Sequence, residues 1–453
     1  MIEIDSDLLE QTIYNLCIQA NTAYDEKLYN LILQKYENAI TQDEKIKYTN
    51  ILNNIKIAFE SQRPLCQDTG QVVIFVKIGR SFFIKNKCIN DAINSAVEKA
   101  YTQNFYRKSV VTNAIFDRTN TQTNTPALIY TDITDGNDIS VDLTVKGAGS
   151  ENCSAVKMFK PTDTKEDIFK FIQETIQAAG EKSCPPMVLG IGIGGTLEYA
   201  AILSKKAFFH QQTNAEDALV SDLKNYLIKD ESNILDIKVF TSSTHIACLP
   251  VAVTINCHCS RHASAIITSQ GVQYQNKNYE HKNIENFCCN YKEISTDNIE
   301  AIKALKAGEN ILLTGEIYTA RDAAHKKFKE YFDKHRILPI DIKNKIIFYA
   351  GPCPAAADEV IGPVGPTTSF RMDKYCALMH SNGLLASIGK GERSSESIET
   401  IKRYNGKYFT AQGGIACVLA KCVHSSDIVA FEELGTEAVR KLYVEKLPVK
   451  VII

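Results

Sequence analysis

Three cysteine-bearing turns carry residue types that could do chemistry. The first is Pro64-Leu65-Cys66-Gln67-Asp68-Thr69-Gly70, where a thiol, an amide and a carboxylate stand side by side in a glycine-terminated turn. Turns present side chains to clefts, where reacting groups tend to sit. The second is Lys182-Ser183-Cys184-Pro185-Pro186. Its two prolines restrict the backbone and remove two amide donors, which presents the sulfur rigidly, as a metal ligand requires. The third is Asn256-Cys257-His258-Cys259-Ser260-Arg261-His262, with His245 upstream. Thiolates are soft ligands suited to zinc and iron–sulfur clusters. A zinc site built from Cys257, Cys259 and the Cys288-Cys289 pair is one reading, although these spacings are not those of a zinc knuckle. The glycines from Gly190 to Gly195 invite comparison with a dinucleotide-binding turn, but they do not form a clean G-x-G-x-x-G and suit tight strand–helix packing.

The elements that must position these turns read as α/β. Residues 1–60 have helical periodicity, and Val72–Ile78 reads as a strand. A helical segment over 88–105 precedes two strands, 125–133 and 138–147, joined by the turn signal Asp135-Gly136-Asn137-Asp138. A helix over Lys165–Ala179, a short strand Met187–Ile193 and a helix over 197–207 follow. The stretch 248–268 reads as a buried strand ending in the Cys/His-rich turn. From Tyr291 onward, strands at 310–320, 345–355 and 384–391 alternate with a helix over 321–334, and a Val/Ile strand closes the chain.

At 453 residues the chain exceeds one ordinary core, and the polar, Asn- and Lys-rich stretch 271–290 separates two candidate domains. A formal net charge of −2 gives no reason to expect nucleic acid or an anionic membrane as partner. Neither a signal peptide nor a membrane-length apolar run is visible, so the expected location is the cytoplasm. Most of the fourteen cysteines are expected to be small buried hydrophobes rather than disulfide partners.

Taken together and in order, these motifs resemble the class I, iron–sulfur-dependent fumarases and the related L(+)-tartrate dehydratases, with α and β parts fused. PLCQDTG, RKSVV with NTPA, VKGAGSEN, CPPMVLGIGIGGT and NCHCSR resemble α-part motifs. LTGEIYTARDAAHK, AGPCPA and GPVGPTTSFRMD resemble β-part motifs. The resemblance implies an N-terminal α/β cluster-binding domain (1–280) and a smaller C-terminal swivelling β/α domain (285–453). It also implies a homodimer of the tricarboxylic acid cycle type.

By position, the resemblance makes Cys66, Cys184 and Cys257 the ligands of a [4Fe–4S] cluster. Three thiolates for four irons leave one iron open to act as a Lewis acid, whereas four thiolates would suit electron transfer. Whether Cys153, Cys248 or Cys259 supplies a fourth decides between those readings. The resemblance further implies that Gln67, Arg107, Gly149, Arg321, Arg371 and Lys390 bind a dicarboxylate; Ala148 interrupts the family's usual glycine run beside Gly149. Guanidinium groups suit carboxylates because their planar fork binds bidentately. Asp68, Thr367 and His245 are implied as proton-transfer and active-site groups, His245 reaching in from a second subunit. The expected reaction is reversible hydration of fumarate to (S)-malate, the alternative dehydration of L-tartrate to oxaloacetate.

Overall fold

The computed structural model describes residues 2–453 apart from 276, 278, 283 and 285–290. Cys288 and Cys289, the second half of the zinc reading, lie outside the described residues. The chain is mixed α/β and forms two compact units, neither of them one continuous stretch. The first comprises Met1–Ile32, Thr69–Gln103 and Lys108–Tyr279; the second comprises Leu33–Asp68, Asn104–Arg107 and Glu280–Ile453.

The first unit contains two larger sheets. In the five-stranded one the order is Gly271–Tyr274, His262–Thr268, Ile139–Lys146, Gln71–Gly79, Leu128–Thr134. The strands on either side of the Asp135–Asp138 turn therefore do not pair with each other. Gln71–Gly79 lies between them, antiparallel to one and parallel to the other. In the four-stranded sheet the order is Ala155–Phe159, Leu249–Asn256, Met187–Gly195, Ile234–Thr244. The stretch expected as one strand over 248–268 is thus two strands in two sheets, and residues 257–261 are the crossover between them. A buried apolar cluster that includes Phe169, Ile172, Leu189, Val239 and Val253 packs the helices Lys165–Ala179 and Asn214–Tyr226 onto the four-stranded sheet.

The N-terminal sixty residues are not wholly helical. Ile2–Asp5 pairs in parallel with Phe82–Lys85, and the helices Ser6–Thr22, Glu26–Glu37 and Gln42–Ser61 follow. The last helix starts at Thr41 with a reciprocal capping box to Glu44, the arrangement that satisfies two orphan amides at once.

The second unit is built on seven strands. Lys292–Ser295, Asn310–Thr319, Ile346–Phe348, Ala386–Gly389 and Lys407–Thr410 run parallel to one another. Val439–Val451 is antiparallel to Lys407–Thr410 and also to Asn310–Thr319, so these three strands with Ile346–Phe348 and Ala386–Gly389 close into a ring. Parallel order places the carboxyl ends of Thr319, Phe348 and Gly389 on one rim, and ligands of parallel sheets bind outside such ends.

Candidate active site

That rim carries the second unit's polar residues. Arg321 follows Thr319 and opens the helix Asp322–His335; Tyr349-Ala350-Gly351 follows Phe348; Lys390 follows Gly389. Arg107, almost fully buried, donates from Nη1 to the Gly351 carbonyl at 2.9 Å and pairs through Nη2 with Asp68 Oδ1 at 3.0 Å. On Gly351 itself, a Cβ would come within 3.1 Å of Arg321 Cδ and 3.4 Å of its Nη1. One glycine therefore separates two guanidiniums, and its lack of a side chain permits their approach.

Arg321 pairs with Glu437 Oε1 at 3.2 Å and Asp322 Oδ2 at 3.3 Å. Asp322 in turn accepts a two-pronged contact from Arg371, Nε at 2.8 Å and Nη2 at 2.6 Å. Glu437 also takes the Ala323 amide at 2.9 Å, so it holds both the arginine and the helix start. Asp322 and Glu437 were not singled out in the sequence. Asp322 adjoins a motif arginine, whereas Glu437 has no local signal.

The electrostatics follow from this packing. Burial works against the charge on Arg107, but the Asp68 carboxylate, then the Cys353 and Cys66 thiols, raise its pKa above the usual value. For Arg321 burial prevails: with Glu437 opposing, the Arg107 and Arg371 cations add to burial, and its pKa is lowered. Each of the three arginines is paired with a carboxylate, Asp68, Glu437 or Asp322, and only Arg321 is disfavoured as a cation by its neighbours.

Gln67 and Thr367 flank the same rim. Gln67 is buried, its side-chain amide against Gly365, where a Cβ would approach Oε1 to 2.4 Å, and Cys353 Sγ donates to its carbonyl at 3.4 Å. Cys66, also buried, donates to Gln67 Oε1 at 3.5 Å. Thr367 donates its amide to the Tyr349 carbonyl at 2.6 Å and accepts from the Lys390 amide at 3.1 Å. The second unit thus gathers Cys66, Gln67, Asp68, Arg107, Arg321, Thr367, Arg371 and Lys390.

The first unit holds the remaining residues. Cys184 has a left-handed backbone (φ 57°), and its carbonyl accepts from the His258 amide at 3.3 Å, which joins the Cys184 and Cys257 turns directly. Gly149 lies in the single-turn helix Ala148–Glu151, which packs against the Gly180–Ser183 turn leading into Cys184. The crossover carrying Cys257 and the strand end before it are tied down through their carbonyls. Lys146 donates to Ile255, Tyr24 to His258, and Thr144 Oγ1 to Arg261 at 3.1 Å. A hydrogen bond from Cys259, helped by His258 and Arg261 against burial, holds the Cys257 thiol well below its ordinary pKa. A favoured thiolate on a rigid turn beside a second rigid cysteine is a donor set of the kind an iron–sulfur cluster takes. Among the described residues, no three or more His, Cys, Asp or Glu side chains are already drawn together around one point. His245 is exposed, its Nδ1 accepting from the Ala247 amide at 3.1 Å within its own turn.

Residues 10–266 match the family described as fumarate hydratase (fumerase), and residues 264–453 match the fumarase C-terminus. The chain belongs to the fumarate hydratase family. Relatives named as class I fumarate hydratases match nearly the whole chain, and the chain is a hydro-lyase-type enzyme. The class I, anaerobic fumarate hydratase of Escherichia coli (strain K12) is 27% identical, the match covering 98% of this chain and 87% of that protein. The mitochondrial fumarate hydratase 1 of Leishmania major is 26% identical over 91% of this chain and 82% of its own length. A Methanocaldococcus jannaschii protein named as an L(+)-tartrate dehydratase α subunit is 34% identical over 56% of this chain and 96% of itself. No helix among the described residues is long and apolar enough to cross a membrane.

Proposed function

We propose that this fumarate hydratase family member adds water reversibly across fumarate to give (S)-malate. The observation that carries the reading is the group of three arginines, Arg107, Arg321 and Arg371, linked through Gly351 and Asp322 on the rim of one unit. Planar guanidinium forks gathered in one unit suit a compact dianion better than a neutral substrate. Gln67 and Lys390 add amide and ammonium contacts to the carboxylates, and Gly149 contributes from its turn. These contacts hold the carbon skeleton still, which turns proton removal into an effectively intramolecular step.

Asp68, held by Arg107, takes the proton from the carbon next to a carboxylate in the dehydration direction and returns it in hydration. Thr367 has its backbone fixed on both sides and relays a proton through its hydroxyl. When bound, a [4Fe–4S] cluster held by Cys66, Cys184 and Cys257 would supply Lewis-acid polarisation of the substrate oxygens at its one iron without a thiolate. His245 serves the site of a second copy of the chain, in keeping with its exposed turn and the 90% exposure of Ile246 beside it.

A second reading, dehydration of L(+)-tartrate to oxaloacetate, is favoured by the relationship to the tartrate dehydratase α subunit. Anaerobic turnover with fumarate, (S)-malate and both tartrate enantiomers separates the two. The expected result is saturable interconversion of fumarate and malate at a higher kcat/KM than for either tartrate. Absence of turnover with all four by cluster-loaded protein would overturn the hydro-lyase reading.

A further inference from the structure

One buried cation stands outside the set expected to face the substrate. Arg393, three residues after Lys390, has a side chain with 0% exposure. Its Nε donates to Asp373 Oδ1 at 2.5 Å, and Asp373 lies two residues after Arg371 in the same short helical turn, Ser369–Tyr375. The other oxygen of Asp373 takes the Ser394 amide at 2.7 Å. From the opposite side, Arg393 Nη1 reaches the Tyr349 hydroxyl and Ser387 Oγ, each at 3.3 Å. The Tyr349 and Tyr408 rings lie 5.6 and 5.3 Å from its guanidinium.

Each of these contacts leads to a different part of the rim. Through Asp373 the guanidinium holds the turn that carries Arg371. The same Asp373, through the Ser394 amide, ties down the loop that carries Lys390. Through Tyr349 the guanidinium holds the residue whose carbonyl accepts from Thr367 at 2.6 Å and whose chain continues into Gly351 between Arg107 and Arg321. Lysine could supply the charge but not donors at two angles from one rigid plane. A buried ion pair is weak evidence for stability by itself, and one that joins site-bearing segments calls for a role in their geometry.

We infer that Arg393 is a positioning residue: with Asp373 and Tyr349 it sets the mutual placement of Arg371, Lys390 and Thr367, and so the fit of the dicarboxylate. The inference rests on the dicarboxylate reading above.

The test is Arg393→Lys in the full-length, cluster-loaded protein, with kcat and KM for fumarate and malate expressed per cluster and the thermal midpoint measured on the same preparations. The expected result is a loss of tenfold to a hundredfold in kcat/KM, with KM raised and the cluster content unchanged. Tyr349→Phe, which removes one hydroxyl and keeps the ring, should shift KM the same way by a smaller factor, and it covers the case in which the lysine variant does not fold. Asp373→Asn combined with Arg393→Lys should lose less than the product of the two single losses, since the two residues share one contact. If kcat and KM per cluster stay within twofold of wild type while only the thermal midpoint falls, Arg393 is structural and the inference is wrong. If wild-type protein turns over no dicarboxylate, this inference falls together with the reading it rests on.

Discussion

Cys257 and Cys259 are two residues apart, yet the fold treats them differently. Cys259 is 2% exposed and lies 3.8 Å from His258 Nδ1, whereas Cys257 is half-buried on the crossover joined to Cys184. A ligand must present its sulfur, and a buried neighbour that donates toward it acts by stabilising the thiolate. Accordingly Cys184→Ser and Cys257→Ser are each expected to remove bound iron and activity, and Cys259→Ser to retain both. Iron and sulfide content with visible absorbance after anaerobic reconstitution checks this, and a cluster retained in the Cys257 variant would reverse the assignment. Flanking residues made these cysteines legible in the sequence, because glycines, prolines and neighbouring polar groups are local marks. Glu437 carried no such mark. Its task is to pin Arg321, more than a hundred positions away in the chain, and nothing near Glu437 records that distance.

At the scale of elements, periodicity located strands and helices better than it located their neighbours. The strand Gln71–Gly79 was plain from its Val/Ile run, but its insertion between Leu128–Thr134 and Ile139–Lys146 depends on non-local pairing. Likewise the 248–268 stretch reads as continuous because both of its strands are apolar; only the sheets show that the cysteine turn divides them. Helix starts are more local and carry their own energetics. Asn214–Tyr226 begins at Thr213 with a capping box to Glu216, whose carboxylate also accepts from the Thr241 amide at 2.7 Å and contacts His210 Nε2 at 2.9 Å. Burial alone would raise its pKa, but the Thr213 and Thr241 amides and His210 lower it to about 2. A depressed carboxylate stabilises the fold above its unfolded pKa of about 4.3, and that contribution is lost as pH falls through the folded value. Glu216→Gln is therefore expected to cost about 2 kcal/mol at pH 7. The gap to wild type should narrow by roughly 1 kcal/mol by pH 4, because glutamine does not titrate. Urea unfolding of both proteins at pH 7 and pH 4 measures it, and a gap that stayed constant or widened would contradict the assignment.

At the scale of the molecule, the second unit draws on both ends of the chain. Asn54, on the helix Gln42–Ser61, donates to the Gly414 carbonyl at 3.3 Å and accepts from the Cys417 amide at 2.8 Å, all buried. Arg63 donates to the Pro354 carbonyl at 2.9 Å and pairs with Glu359 at 2.8 Å, while Arg107 reaches Gly351. A C-terminal piece made alone would leave these partners unmatched, at about 1–3 kcal/mol for each buried group. It would also lack Cys66, Asp68 and Arg107. No covalent link is needed between the pieces, however, because these contacts are non-covalent. Fragments 1–284 and 285–453 expressed separately are therefore expected to be inactive, the second unfolding at a lower temperature than the intact chain. Co-expressed, they should copurify and recover turnover. Separate purification and calorimetry of 285–453 decide the point: a native-like thermal midpoint in that piece alone would mean that the N-terminal segments only dock onto a finished fold, whereas its rescue by 1–284 would make them part of the fold itself.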